Sequence, residues 1–168
     1  GTSIPVGLVS PYVEDDESVL VIMGDQFFHR NDGGSNATDL IQLAEEAGAS
    51  AALFGNPLPD ELIPSFGIIE KDDKGNFVRI VEKPALEDAP SNLNNSSFYL
   101  FDKELFELAR TLPVNPMRGE YEVTDAINAY VASGKDIVVG TVSGSYMECG
   151  SVNGWLVANE TIIRGRQK

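Results

Sequence analysis

"SVLVIMGDQFF", residues 18–28, is the stretch of sequence that says most about the fold. Five apolar residues, Val19 to Met23, follow one another without a polar interruption and lead directly into Gly24-Asp25. A short run of this kind, rich in Val and Ile, is typical of a strand that helices cover on both faces. The stretch therefore predicts a strand of a largely parallel sheet, with Gly24 and Asp25 at its carboxyl end.

Strands and helices alternate along the rest of the chain. The predicted strands are Val19–Met23, Ser50–Phe54, Phe66–Glu70 and Ile137–Val142, and the third opens a β-hairpin. One helix is predicted to begin at Ser35 or Asn36 and to stop at Gly48, another is capped by Asp102, and the last buries Trp155. The alternation indicates an α/β fold with a Rossmann-like, mixed but mainly parallel sheet between helices.

Composition narrows the possible partners. With 168 residues, 42% of them hydrophobic, the chain is long enough for one domain with its own core. Its 26 acidic and 12 basic residues give a net charge of −14. That charge repels nucleic acid and anionic membranes, so neither is expected as a partner. It also repels phosphorylated ligands, which would need a divalent cation and a few local basic groups.

Cysteine content and hydropathy indicate the compartment. The single cysteine, Cys149, excludes an internal disulfide framework and fits a reducing environment. No apolar run approaches the roughly 20 residues that span a bilayer, and there is no signal peptide. We therefore predict a soluble, cytoplasmic protein.

Gly24-Asp25 is the first candidate for chemistry. Ligands of open α/β sheets gather at the carboxyl ends of strands, so Asp25 and Gly67 are expected to be exposed on the same side of the sheet. Glycine lets a ligand or a metal approach the backbone, and aspartate supplies a hard oxygen that suits Mg²⁺. A purely structural turn, in which the same two residues are common, stays open as an alternative.

The predicted hairpin, "FGIIEKDDKGNFVRIVEKP" (residues 66–84), ends in a second candidate. Pro84 is expected to hold Lys83 in an extended conformation, with Glu82 and Lys83 on opposite faces of the strand. A carboxylate can accept hydrogen bonds from sugar hydroxyls, while an ammonium group attracts a phosphate. A solvated ion pair at a sheet edge explains the same residues equally well.

Six segments, taken together, resemble a known family. They are "GTS", "VLVIMGD", "FGIIEKDDKGNFVRIVEKP", "SNLNNSSFYLFD", "GEYEVTDAI" and "YMECGSVNGWLVAN". Their order across nearly all 168 residues resembles that of the sugar nucleotidyltransferases, or nucleoside-diphosphate-sugar pyrophosphorylases, of the glucose-1-phosphate thymidylyl/uridylyltransferase type.

The resemblance implies roles for individual residues. Asp25 would hold a catalytic Mg²⁺, and Glu148 falls where the family has a second metal-binding aspartate. Gly24 and Gly67 would let the substrate approach, Glu82 would bind sugar hydroxyls, and Lys83 would be catalytic through the sugar phosphate. Gly1-Thr2 resembles a loop that lines the nucleotide pocket.

The resemblance also implies a reaction. An oxygen of a sugar 1-phosphate would attack the α-phosphate of a nucleoside triphosphate, and pyrophosphate would leave. UTP or dTTP and a hexose such as glucose are the favoured substrates, and a homo-oligomer is the expected assembly.

The sequence departs from the family pattern at several positions. Glu148 replaces an aspartate, Tyr146 a tryptophan, Ser151 a threonine and Ser97 a glycine. The glycine-rich G-x-G-T-R loop and the Pro-Lys that follows it are absent. Residues 1–168 are therefore expected to form the C-terminal two-thirds of a single nucleotidyltransferase domain, inactive alone but active in the intact parent.

Two alternative functions stay open. A glycosyltransferase that consumes nucleotide sugars usually carries Asp-x-Asp after a buried strand, whereas Asp25-Gln26-Phe27 lacks the second acid. A degenerate, non-catalytic subunit that binds sugar nucleotides or regulates a partner would explain the departures at Ser97, Tyr146 and Glu148.

Overall fold

The computed structural model describes residues 1–165. Within them the α-helices and strands follow one another in this order: α1 (Ser3–Gly7), β1 (Ser18–Ile22), β2 (Gln26–His29), α2 (Asn36–Ala47), β3 (Ala51–Pro57), β4 (Gly67–Lys71), β5 (Phe77–Glu82), β6 (Leu93–Asp102), α3 (Lys103–Thr111), α4 (Val123–Ala132), β7 (Ile137–Gly140), β8 (Ser145–Glu148) and α5 (Val152–Gly165).

Six strands form one mixed sheet. Their order is β5-β4-β6-β3-β7, and β1 pairs with the second half of the long strand β6. Strands β1, β3 and β4 are all antiparallel to β6, and β7 is parallel to β3, so these four run in one direction. The α/β fold with helices around a mixed sheet is confirmed. Most strands of the sheet thus share one direction, as predicted. The long strand β6 runs the other way and pairs with β1, β3 and β4, so most of the ladders in residues 1–165 are antiparallel.

Strand β6 divides the core into two layers, because its side chains alternate between the two faces of the sheet. Tyr99 and Phe101 pack with helices α3 and α4, where Phe106 and Ile127 are fully buried. The opposite face carries Phe98 and Leu100, which pack against helix α2. A three-layer arrangement of helices, sheet and helix results.

Local signals placed the predicted helix ends correctly. Ser35 is the N-cap of α2 and accepts a hydrogen bond from the amide of Thr38, while Gly48 ends the helix in the left-handed conformation at φ +63°. Asp102 caps α3 in the same way. The position of Trp155 was predicted wrongly: its side chain is 57% exposed, because α5 lies on the surface and buries little beyond Ala158.

The predicted strands lie within a few residues of the observed ones, but β1 is less buried than predicted. Its central residues are half-buried and its two ends are exposed. The reason is its position, because β6 is its one partner strand within residues 1–165.

A second, two-stranded sheet formed by β2 and β8 was not predicted. The two strands are antiparallel, and Gln26 lies opposite Glu148. The amide of Cys149 also donates a hydrogen bond to the carbonyl of Asp25 at 2.6 Å. This small sheet brings residue 148 to the loop that follows β1.

None of the helices within residues 1–165 has both the length and the apolar character that a membrane crossing requires.

Candidate active site

A cavity of about 500 Å³ opens where β1, the β4–β5 hairpin and the β2–β8 sheet meet. Of the eight residues to which the family resemblance assigns a role, six line it: Thr2, Asp25, Gly67, Glu82, Lys83 and Glu148. They come from five separate parts of the chain. A cavity of this volume is typical of small-molecule sites.

Asp25 and Glu148 form the acidic end of the cavity. A side chain on Gly150 would place its Cβ 2.3 Å from Glu148 Oε1 and 3.4 Å from Asp25 Oδ2. Both carboxylates therefore lie close to the position that a side chain on residue 150 would occupy. Gly150 also donates its amide hydrogen to Glu148 Oε1 at 2.5 Å. This end of the cavity is suited to a cation.

The end of the β4–β5 hairpin contributes two further residues to the cavity, Glu82 and Lys83. Lys83 was predicted to be extended, and this prediction is wrong: the residue adopts a left-handed conformation with φ +48°. Its amide still donates to the carbonyl of Phe66 at 3.0 Å, so the chain turns only after the last ladder bond. The twist ends the alternation of faces, and both side chains line the cavity rather than lying on opposite faces.

Backbone strain is concentrated in this cavity. In the described part of the chain, the two non-glycine residues with positive φ are Lys83 and Ser97, at +48° and +55°. Both of them line the cavity. The left-handed conformation costs a non-glycine residue about 1–2 kcal/mol, and such strain is found preferentially at functional sites.

Gly67 was predicted to leave room beside the ligand. It lies opposite Glu82 in the β4–β5 ladder and is buried, not exposed as expected of a residue at the open end of the sheet. A Cβ at this position would lie 2.9 Å from Glu82 Oε2 and 3.0 Å from a methyl group of Ile80. Glycine here leaves room for the Glu82 carboxylate beside the backbone of β4.

Burial is the main cause of the unusual titration of Glu82. It raises the pKa of the Glu82 carboxyl above its usual value, and the nearby Glu122 carboxylate raises it further. Lys83 and Arg118 act in the opposite direction and lower this pKa. Glu82 is thus a carboxylate that the cavity desolvates, as expected for a group that accepts hydrogen bonds from a ligand.

Two glycines from the sequence prediction do not line the cavity. Gly24 precedes Asp25 but is exposed, and a Cβ at this position would have no atom outside its chain neighbours within 4 Å. Gly1 packs on the backbone of Tyr121, and a Cβ there would lie 2.2 Å from the Tyr121 carbonyl oxygen. Its neighbour Thr2 does reach the cavity, and its hydroxyl accepts a hydrogen bond from the amide of Val123 at 3.0 Å.

Two features of the cavity were not predicted from the sequence: the polar side chains that β6 contributes, Asn95 and Tyr99, and a second basic group, Arg118. Asn95 donates to the Tyr99 hydroxyl at 2.8 Å, and burial raises the pKa of Tyr99 to about 12. The polar run "NNSS" inside the central strand was a usable signal, because such strands are normally apolar. Arg118 lines the cavity, and its Nε lies 3.6 Å from Glu122 Oε1. It lies in an irregular segment with no recognisable pattern.

The cavity is strongly acidic. Its lining contains five carboxylates and two basic side chains: Asp25, Glu82, Glu120, Glu122 and Glu148 against Lys83 and Arg118. Such an excess repels an anionic ligand unless a cation accompanies it.

Comparison with solved structures shows which fold the chain adopts. The fold matches that of a UDP-glucose pyrophosphorylase complexed with UDP-glucose, with a TM-score of 0.85 at 24% identity over 98% of this chain and 62% of that one. A UTP-bound UGPase from Acinetobacter baumannii gives 0.83 at 24% identity, over 96% of this chain and 56% of that one. The chain is an α/β protein with the pyrophosphorylase fold.

Sequence comparison then shows the family. The chain belongs to the nucleotidyl transferase family, whose model matches residues 1–164. UTP–glucose-1-phosphate uridylyltransferase AglF of Haloferax volcanii is 31% identical over 141 residues, 82% of this chain and 54% of that protein. The bifunctional protein GlmU of Methanocaldococcus jannaschii is 35% identical over 136 residues, 80% of this chain and 29% of that protein.

These matches confirm the resemblance to sugar nucleotidyltransferases. The chain spans about half the length, or less, of the curated relatives it matches.

Proposed function

We propose that the protein transfers a nucleotidyl group from a nucleoside triphosphate, UTP or dTTP, to a sugar 1-phosphate, with a hexose such as glucose as the sugar. The products are a nucleotide sugar and pyrophosphate. One observation carries the proposal: Glu82 and Lys83 share a cavity of about 500 Å³ with the carboxylates of Asp25 and Glu148.

The residues suggest how the sugar phosphate is held. The desolvated carboxylate of Glu82 accepts hydrogen bonds from sugar hydroxyls, and Gly67 leaves the space that this carboxylate occupies. Lys83 attracts the phosphate. Two basic side chains are too few to balance both the lining and a dianionic phosphate, so the site needs a cation as well.

The donor set fits Mg²⁺. Within residues 1–165 no cluster of three or more His, Cys, Asp or Glu side chains is arranged to hold a metal ion. Two carboxylates are nevertheless the usual protein contribution to a Mg²⁺ site, since phosphate oxygens and water complete the octahedron. Asp25 and Glu148 would hold the ion, which when bound neutralises charge on the phosphates.

The reaction balances without a covalent enzyme intermediate. A phosphate oxygen of the sugar 1-phosphate forms a bond to the α-phosphorus, and the bond from that phosphorus to the oxygen bridging to the β-phosphate breaks. Pyrophosphate leaves with that electron pair. The task of the protein is positioning and charge neutralisation, to which Lys83 and Asp25 contribute most directly.

We further propose that residues 1–168 form the C-terminal two-thirds of one nucleotidyltransferase domain, as the order of the motifs indicates. Cytoplasmic location and homo-oligomeric assembly remain predictions from the sequence.

The test is pyrophosphate release by the full-length protein with Mg²⁺, UTP or dTTP and glucose 1-phosphate. Asp25→Asn should abolish turnover at every sugar phosphate concentration, because it damages the cation site rather than the sugar site. The matched control is Asp88→Asn, an exposed aspartate outside the cavity. Substrate binding without turnover by the wild type would favour the regulatory alternative. Release of free nucleoside diphosphate from a nucleotide sugar would favour a glycosyltransferase.

A further inference from the structure

We infer that Tyr146 is a positioning residue, which orients the Asp25 carboxylate through the side-chain amide of Gln26. This inference rests on the proposed role of Asp25 at a cation site. It assigns a task to a tyrosine that does not line the cavity and to a glutamine that the reaction itself does not use.

Three hydrogen bonds link a buried asparagine to Asp25. Asn94 Nδ2 donates to the Tyr146 hydroxyl at 3.2 Å. That hydroxyl donates to Gln26 Oε1 at 2.7 Å, and Gln26 Nε2 donates to Asp25 Oδ1 at 2.9 Å. Every donor in the series points toward the carboxylate, which is the direction that an ionised Asp25 favours.

The direction of the series is fixed at its far end. The backbone amide of Asn56 donates to Asn94 Oδ1 at 3.0 Å, and an amide N–H can only donate. Asn94 must therefore turn its Nδ2 toward Tyr146. Asn94 is completely buried, so the opposite orientation would leave polar groups without partners. The tyrosine has one hydrogen left to donate, and Gln26 Oε1 receives it.

The orientation of the Gln26 amide is fixed in the same way. Because the oxygen of the Gln26 amide is held by Tyr146, its nitrogen must face Asp25 Oδ1. The other oxygen, Oδ2, then lies on the side of Gly150 and Glu148, 3.4 Å from where a Cβ on Gly150 would be. Tyr146 thus keeps one oxygen of Asp25 directed toward the second carboxylate.

The family pattern has a tryptophan at this position. Indole N–H is a donor and nothing else, whereas a phenol both accepts and donates. The Tyr146 hydroxyl can therefore accept a hydrogen bond from Asn94 and still donate one to Gln26. A phenylalanine keeps the ring that packs on Phe28, 5.5 Å away between ring centroids, but removes both hydrogen bonds.

The experiment compares Mn²⁺ binding, followed by electron paramagnetic resonance, in the full-length protein without substrates. Tyr146→Phe should weaken Mn²⁺ binding about tenfold, the lower end of the effect of losing a group that orients a metal ligand. Tyr146→Trp should recover part of the loss, because its N–H can still donate to Gln26. Tyr12→Phe, at an 83% exposed tyrosine, is the matched control and should bind as the wild type does.

A second readout does not depend on the metal. In metal-free protein, the two side-chain N–H signals of Gln26, assigned by their loss in Gln26→Met, should exchange slowly with solvent in the wild type and rapidly in Tyr146→Phe. Unchanged Mn²⁺ affinity in a folded Tyr146→Phe variant overturns the inference. If the wild type does not bind Mn²⁺, the proposed cation site fails, and the Gln26 signals alone decide whether Tyr146 positions Gln26.

Discussion

The carboxylate of Glu82 occupies the space that a side chain on Gly67 would need. The two residues face each other across the β4–β5 ladder, and a Cβ on Gly67 would lie 2.9 Å from Glu82 Oε2. The absence of a side chain at one position therefore sets the position of the carboxylate at the other.

Replacing Gly67 by alanine should push Glu82 away from its place. The nearer atom, Glu82 Oε2, is the end of a flexible side chain, but a methyl group of the buried Ile80, 3.0 Å from the new Cβ, must also shift, so the free energy of unfolding should fall by about 1 kcal/mol. Use of the sugar 1-phosphate should fall about 10- to 100-fold in kcat/KM, since misplacing a binding group by about 1 Å has effects of that size. Steady-state kinetics and urea unfolding of Gly67→Ala separate the two effects. A fall in stability that accounts for the lost activity would contradict this explanation.

Glu82→Gln should raise the free energy of unfolding at neutral pH and, at the same time, lower the use of the sugar 1-phosphate. Burial raises the pKa of Glu82 above its usual value in the folded state, so the fold holds this proton more tightly than the unfolded chain does. Ionisation of Glu82 therefore weakens the fold as the pH rises through the folded pKa. The amide removes this cost at pH 7 but should give little gain at pH 4, where most of the carboxyl is protonated in both states.

Urea unfolding at the two pH values measures this difference, with Glu87→Gln as the exposed control. A gain at pH 4 as large as that at pH 7 would mean that charge is not the cause. Sugar 1-phosphate use should fall in Glu82→Gln even though the variant is more stable.

Strand β1 should make the 168-residue chain self-associate. It pairs with β6 and, within the described residues, with no other strand, and Ile22 at its end is 49% exposed. An open apolar edge is a template for pairing with another chain, and lysine on such an edge opposes it. Ile22→Lys should therefore shift sedimentation toward the monomer.

Ile163→Lys is the matched control, since Ile163 is similarly exposed, at 58%, but lies on helix α5. A monomeric wild-type chain would contradict the prediction. An equal effect of the two lysines would move the contact from β1 to a general apolar surface.

The features predicted correctly from the sequence are those determined by neighbouring residues. The caps Ser35 and Asp102, the stop at Gly48 and the apolar strands all depend on residues close in sequence. The resemblance to the family rested on motif order, and it identified six residues that line one cavity.

The features that were missed depend on long-range contacts. Strands β2 and β8 have four half-buried residues each and lie more than 100 residues apart, so neither shows a pattern on its own. The left-handed Lys83 was missed because the residue before a proline normally avoids helical conformations. Its amide still completes a ladder bond to Phe66, so nothing in the local sequence marks the turn that begins at Lys83.

Lys83→Ala tests the central claim, that this cavity binds the phosphate of a sugar 1-phosphate. In the full-length protein, pyrophosphate release should be measured with glucose 1-phosphate and the triphosphate varied separately, beside Lys74→Ala at the exposed turn of the same hairpin. We predict a loss of about 2–4 kcal/mol of transition-state stabilisation with the sugar phosphate, little change in calorimetric binding of the triphosphate, and wild-type behaviour of Lys74→Ala. An unchanged dependence on sugar 1-phosphate in Lys83→Ala would contradict the claim and leave Glu82-Lys83-Pro84 as the edge of a hairpin.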